Sequence, residues 1–264
     1  MTEINPSEKK PERVAPSILM PLPDHDFDPT ESSIPWKACN SQSWRVEFST
    51  EHGNMPQADL NKLKGPLPGL ISAGSKARLA YQQMSEDPSY RHPIPYPEID
   101  AARYTALLLP GGDGLRMRQY LENSLLQNKV LQFWQRGKLI GAICHGILVV
   151  ARTIDPQTGR SVLYGRKVTA LPKSLDRLAY LLDKWLVKHG YIMYSSCVAD
   201  EVRGCLERPE DFSPGPGLLG PYVASDDNLI TARWYMDAEL FAKCFVEQLD
   251  RRMQTGSGTL YSQN

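Results

Sequence analysis

The chain has 264 residues, with 30 Lys+Arg balanced by 30 Asp+Glu, and is 41% hydrophobic and 23% charged. Those are ordinary values for a globular protein, and the length fits one large domain or two small ones, at about 100–200 residues per domain. Zero formal charge argues against a nucleic-acid surface, which needs a clustered excess of Lys and Arg. No stretch reaches the roughly 18 apolar residues of a membrane span. The expected partner is a small molecule.

The N-terminal stretch MTEINPSEKKPERV is polar and has no apolar signal-peptide core. Five cysteines, at 39, 144, 197, 205 and 244, are too sparse and too few in pattern for a disulfide framework or a zinc site. These features lead to an expectation of a reducing, cytoplasmic setting and no metal. Composition marks residues 1–14 and 254–264 as disordered tails around one domain at 15–253.

Along the chain, Ser17–Pro23 reads as a first strand, and DHDFDPTESS offers helix starts at Asp28 or Thr30. Arg45–Thr50 alternates and reads as a second strand. Residues 53–100 are rich in Pro, Gly and small polar residues and predict a partly helical excursion over the main body. Ala106–Leu109 is a continuous apolar run stopped by Pro110-Gly111-Gly112, as a strand buried on both faces reads. Two helical segments follow within 115–136. Lys138–Ile143 is a further buried strand that leads through Cys144-His145-Gly146 into an apolar helix, ILVVARTI. SVLYGRKVTAL at 161–171 looks strand-like.

Ser174–His189 has the clearest helical stripe, with Leu175, Leu178, Leu182, Trp185 and Leu186 on one side, Ser174 as cap and Gly190 as stop. Asn228–Trp234 is a late strand. A last helix over 236–252 puts Leu240, Phe241, Cys244, Phe245 and Leu249 on one face. Strands alternating with helices predict an α/β sandwich around a mostly parallel sheet, with the ligand outside the carboxyl ends of the strands.

Two loops fall at that edge. In the first, strand, Cys144-His145-Gly146 and helix form a nucleophile-elbow pattern, in which a sharp turn projects the thiol clear of the sheet. Free N–H groups at the helix start would favour its thiolate. In the second, Gly111, Gly112 and Asp113 follow a buried strand, where backbone N–H groups can meet a bound oxygen. No GK[ST] follows, so the loop is not a phosphate loop. Glu31 is either a first-turn helix acid or a buried carboxyl facing the thiol. His145 can serve the thiol only if its ring turns back toward Cys144. Asp176 is a candidate third group, or again a first-turn acid. Asp24-His25-Asp26 is a weak metal motif, since three consecutive residues seldom converge on one ion.

DPTESSIPW at 28–36, LLLPGG at 107–112, AICHG at 142–146, SVLYGRKVTALPK at 161–173 and TARW at 231–234 together resemble the ThiJ/PfpI superfamily. This is the class I glutamine-amidotransferase-like group that includes the Parkinson-linked deglycase. The likeness runs over about residues 17–250 and is nearest to the heat-shock glyoxalase/chaperone branch. It implies a flavodoxin-like α/β sandwich, a homodimer and no cofactor. It implies Cys144 as nucleophile, Glu31 as a carboxyl near the sulfur and His145 as partner. Gly112 and the His145 backbone would form the oxyanion pair, and Asp176 would complete a triad.

Two departures are visible. Asp113 stands where many relatives have His, and Tyr235-Met236 stand where they often have Pro-Gly. The implied activity is glutathione-independent glyoxalase chemistry on a small reactive carbonyl. Alternatives are the same thiol acting on a larger substrate, such as an isonitrile or an intermediate of specialised metabolism, or a redox-sensing, holdase-like stress protein.

Overall fold

Continuous apolar runs have no polar side to turn toward water, so they form the middle of a sheet covered on both faces. In the computed structural model, residues 15–65, 67–69, 72–182, 197–217 and 220–259 are described. Their main sheet holds β1 (Ser17–Pro21), β2 (Arg45–Thr50), β3 (Ile94–Pro95), β4 (Ala106–Leu109), β5 (Leu139–Ile143), β6 (Val223–Asp226) and β7 (Leu229–Ala232). The order across it is β6-β7-β5-β4-β1-β2-β3. Every pairing is parallel except β6 with β7. Register brings Ile18 opposite Ala106 and Leu109 opposite Ala142, so the three central strands end close together.

Helices cover both faces, as a parallel sheet requires. The principal ones are α1 (Pro29–Ser41), α2 (Leu60–Lys64), α3 (Ser75–Glu86), α4 (Ser124–Gln135), α5 (Ile147–Ala151), α6 (Lys173–Leu182), α7 (Val198–Cys205) and α8 (Ala238–Thr259). On one face α1 packs against α3 and α8, and α8 lies on β5 and β7. On the other face α4 packs on β4 and β5, and α5 lies between α4 and α7. Gly141 shows how tight this is. A Cβ there would lie 2.8 Å from Phe245 Cδ2 and 2.9 Å from Phe241 Cζ, so the two α8 rings rest directly on the strand. The arrangement is the flavodoxin-like sandwich that the sequence predicts.

Local differences have local causes. The strand-like segment 161–171 is mostly turns, because Gly165 takes φ +75° and turns the chain out of the extended region; only Arg160–Ser161 and a bridge from Val168 to Phe212 pair. The helix after Cys144 stops at Ala151, and Ile154 begins a short strand. α6 starts at Lys173, so Ser174 lies inside the first turn rather than at its cap. Leu175 is buried but Leu178 is exposed, so the stripe is not wholly covered; its continuation to 189 lies outside the described residues. α8 runs to Thr259, beyond the end at 252 expected for the last helix. The excursion returns to the sheet as its edge strand β3. Among the described residues no helix is long and apolar enough to cross a membrane.

Candidate functional site

Moving outward from the centre, the strands run β1-β2-β3 on one side and β4-β5-β7 on the other, so the chain reverses its winding between β1 and β4. A crevice opens at such a point, outside the carboxyl ends of the strands. Glu31 follows β1, Gly111 follows β4, and Cys144 follows β5.

Cys144 has φ +57°, the left-handed region that a non-glycine residue enters at a cost of about 1–2 kcal/mol. The strain comes from turning directly out of β5 into a single 3-10 turn, Cys144–Gly146, before α5. Gly146 makes that turn possible, since a Cβ there would lie 2.2 Å from the Leu109 carbonyl oxygen. The side chain is 6% exposed. Its Sγ lies 3.5 Å from His145 Nδ1, so the ring does turn back toward the sulfur.

Glu31 sits in the first turn of α1, but Asp28 caps that helix. Asp28 Oδ1 accepts the N–H of Thr30 at 2.7 Å and of Glu31 at 3.1 Å. This leaves the Glu31 carboxyl free of capping duty. It is 1% exposed and its Oε2 accepts the Gly111 N–H at 3.1 Å. The Asp28 N–H in turn donates to the Gly111 carbonyl at 2.9 Å, so the two loops are stitched together. A Cβ on Gly111 would fall 2.7 Å from Glu31 Oε2, 2.7 Å from the His145 nitrogen and 2.8 Å from Cys144 Cβ. Glycine is therefore the spacer that lets carboxyl and nucleophile turn approach each other. Because its N–H is engaged by Glu31, Gly111 holds the carboxyl rather than offering itself to an oxyanion. Gly112, at φ +152°, is pressed against the 26–28 backbone.

Asp113 Oδ2 accepts from Lys62 Nζ at 2.8 Å, and Lys62 also reaches Asp28 Oδ2 at 3.2 Å. Lys62, brought in by α2 of the excursion, was not legible as a site residue. A lysine in a short DLNKLKG turn reads as solvated surface, and only the capping Asp59 hinted at an ordered element there. Asp176 lies half-buried in the first turn of α6, where its charge is the largest influence favouring protonation of His145.

The electrostatics differ from the expectation of a helix-activated thiolate. Burial, and then the negative charges of Glu31, Asp113 and Asp28, push the Cys144 thiol well above its ordinary range, with Lys62 pulling the other way. A 3-10 turn and a five-residue helix offer little helix dipole to oppose this, and Gly111 holds the Glu31 carboxyl against the Cys144 turn. Burial, then Asp28, also raises Glu31 well above the usual carboxyl range. Burial lowers His145, which rests as neutral imidazole. Tyr235, from the turn after β7, is pushed up to about 12, first by burial and then by Asp28.

The late motif is structural. Arg233 is 1% exposed and binds Asp237 through Nε–Oδ2 and Nη2–Oδ1 contacts, both 2.8 Å. It also donates to the carbonyls of Gly217 and Gly220, and so fixes the backbone that presents Trp234 and Tyr235. A cleft of about 380 Å³ opens beside Tyr235, lined in part by Thr30, Ile34, Ala77, Met236 and Leu240. The Asp24-His25-Asp26 run disperses: Asp26 pairs with Arg116, and Asp24 accepts from Gln119 and Asn54.

A family model described as ThiJ/PfpI family-like matches residues 22–216, most of the chain, including Glu31, Gly111 and Cys144. The chain belongs to the ThiJ/PfpI family. It is 23% identical over 235 residues to an uncharacterised protein of the fission yeast Schizosaccharomyces pombe, covering 84% of this chain and 79% of that one. Among solved structures it resembles the 24 kDa rapid encystment protein of Francisella tularensis, with TM-score 0.68 and 17% identity over 89% of this chain and 99% of the other. It also resembles glyoxalase III of Candida albicans, with TM-score 0.64 and 14% identity over 88% of this chain and 96% of the other. At these identities the likenesses establish the ThiJ/PfpI fold and not a shared substrate.

Proposed function

We propose that this ThiJ/PfpI protein is a cysteine-dependent enzyme that converts a small reactive 2-oxoaldehyde to the 2-hydroxy acid without glutathione. The observation that carries the reading is the strained Cys144 turn with the Glu31 carboxyl held beside it through Gly111. The Cys144 sulfur adds to the aldehyde carbon of methylglyoxal, and the thiol proton passes to the new oxygen, giving a hemithioacetal. A base then removes the proton on C1 and a proton returns at C2, through an enediol, to leave a thioester of lactate. Water cleaves the thioester and restores the thiol. The net change is addition of one water, with no outside oxidant or reductant.

Glu31 is suited to the proton movements. A carboxyl whose pKa is raised by burial holds and exchanges a proton more readily than a normal carboxylate. Neutral His145, close to Sγ, is the second proton acceptor, and Asp176 is proposed as the charge that steadies its protonated form. The Gly112 and His145 backbone N–H groups are proposed as donors to the developing oxyanion.

The test is 2-hydroxy acid formation from methylglyoxal beside Cys144→Ala, with melting curves of both. Turnover that vanishes in the variant while its fold persists supports the reading; full activity in the variant refutes it. A larger substrate for the same thiol is the second reading: the cleft beside Tyr235 and Met236 reaches Thr30, next to Glu31, although Cys144 does not line it. It predicts higher kcat/KM for an aryl glyoxal than for methylglyoxal. The expected homodimer is checked by light scattering.

A further inference from the structure

We propose that Lys62 is the counter-charge of the thiolate formed at Cys144, delivered to the site by the excursion rather than by either loop that carries the reacting groups. The inference rests on Cys144 being the nucleophile, and it names what makes that nucleophile available.

The placement of Lys62 is built, not incidental. His25–Phe27 pairs with Gln57–Ala58, and the Asp59 N–H donates to the Phe27 carbonyl at 3.0 Å, which fastens the start of α2 to the strand running into Asp28. Asp59 Oδ1 caps α2, accepting from the Asn61 N–H at 2.8 Å. Lys62 then turns inward, with 21% of its side chain exposed, and its ammonium rests between the Asp28 and Asp113 carboxylates. Asp28 caps the helix that carries Glu31. Asp113 lies two residues beyond Gly111, whose N–H holds Glu31. The ammonium therefore stands against both loops that frame the sulfur.

The charges explain why a cation is needed there. The charges that act on Cys144 are Glu31 of α1, its cap Asp28 and Asp113 from the loop after β4, with neutral His145 3.5 Å from the sulfur. Asp59 stands behind Lys62, Tyr235 closes the side toward the cleft, and Asp176 and Arg152 act on His145. Ionising a buried thiol among these acids adds one more negative charge to a site with little water. Lys62 is the cation whose field opposes that cost at Cys144 and Glu31 together. A lysine serving only to anchor the excursion would be satisfied by one acid at the surface. This one is set between two, with most of its side chain buried.

The experiment follows Cys144 alkylation by iodoacetamide as a function of pH, read at the Cys144 peptide by mass spectrometry in full-length protein. The comparison includes the parent, Lys62→Met, Lys62→Arg and Asp113→Asn, with melting curves of each. Lys62→Met raises the alkylation midpoint by about one pH unit or more, so that below the midpoint the reaction slows about tenfold. Lys62→Arg keeps the charge and stays near the parent. Asp113→Asn removes one acid and frees the ammonium, so its midpoint falls.

A purely anchoring lysine gives a different pattern: loosening the excursion exposes the thiol and speeds alkylation in both Lys62→Met and Asp113→Asn, and that result overturns the inference. If Lys62→Met does not fold, a midpoint in Asp113→Asn that rises or stays put overturns it as well. Methylglyoxal turnover is scored separately. Unmoved midpoints with Cys144-dependent turnover remove the role of Lys62 and leave the enzymatic reading. Shifted midpoints with turnover that does not depend on Cys144 do the reverse.

Discussion

Gly111→Ala tests the geometry at its narrowest point. The added methyl would lie 2.7 Å from Glu31 Oε2, 2.7 Å from the His145 nitrogen and 2.8 Å from Cys144 Cβ. Ordinary contacts of this kind need about 3.5 Å, so each neighbour must retreat by roughly 0.7–0.8 Å. Two of the three belong to the strained Cys144 turn, which is pinned by β5 on one side and by Gly146 against Leu109 on the other. The Glu31 carboxyl is the part able to yield, and it yields away from the sulfur.

Overpacking of this kind costs about 1–3 kcal/mol of stability, which in a chain of this size lowers Tm by about 2–4 °C per kcal/mol. The activity cost is larger in proportion. Misplacing reacting groups by about 1 Å costs on the order of a hundredfold, so kcat/KM should fall by about 30–100-fold in protein that remains folded. The assay is methylglyoxal turnover at a temperature well below the variant's melting point. Activity within about threefold of the parent would refute the reasoning, because reacting groups cannot move by that much and still react as before.

Two further outcomes follow from the same structure. Burial lifts the folded-state pKa of Glu31 above its unfolded value, so between the two values the native state holds the extra proton. Stability contributed at this site is therefore full below the unfolded pKa and is lost as pH rises toward the folded one. Glu31→Gln removes the titration while its amide oxygen still accepts from Gly111. The Tm of the variant should gain on the parent steadily from about pH 4.5 upward, where the unfolded carboxyl ionises, and its turnover should collapse at every pH. Parallel Tm curves would refute the buried-carboxyl assignment. Arg233→Met leaves Asp237 buried without its partner, and breaking such a pair costs about 3–5 kcal/mol. Urea unfolding measures it, and a loss below about 1 kcal/mol would show that Arg233 does not hold the backbone at Gly217 and Gly220.

What the sequence made legible is what punctuation and burial write plainly. ALLL before Pro-Gly-Gly and LIGAI before Cys-His-Gly mark strands that end abruptly at a shared edge, and both strands keep those ends. Glu31 was ambiguous because two acids, Asp28 and Glu31, both suit a helix start; only the fold shows that Asp28 takes the cap and leaves Glu31 to face Gly111. Lys62 lies 49 positions before Gly111 in an irregular stretch, and nothing local tells a lysine that snorkels to water from one that turns inward between two acids. SVLYGRKVTAL misled for the opposite reason. Its apolar and β-branched content reads as strand, but Gly165 at positive φ turns the chain before it can pair. The Arg233–Asp237 pair has visible i,i+4 spacing, but its complete burial is a property of the loop that wraps it.

The state of the thiol also separates the rival uses of this site. A redox sensor works by exposure and a low thiol pKa, since oxidation follows thiolate character and access. Cys144 is 6% exposed, and burial first, then its acid neighbours, push its thiol up, which runs against both requirements. A thiol beside a carboxyl that can take its proton suits addition to a carbonyl instead, because the thiolate that attacks need form only as the substrate arrives. The addition needs a proton at the new oxygen as the sulfur gives one up, and Glu31 is positioned to exchange it. Exposed Met55, Leu60, Leu67 and Leu79 on the excursion keep a holdase function physically reasonable, but that surface does not require Cys144 at all. Suppression of client aggregation in Cys144→Ala would then add a second activity without weakening the first, because the two draw on different faces of the same excursion: apolar side chains turned outward, and Lys62 turned in.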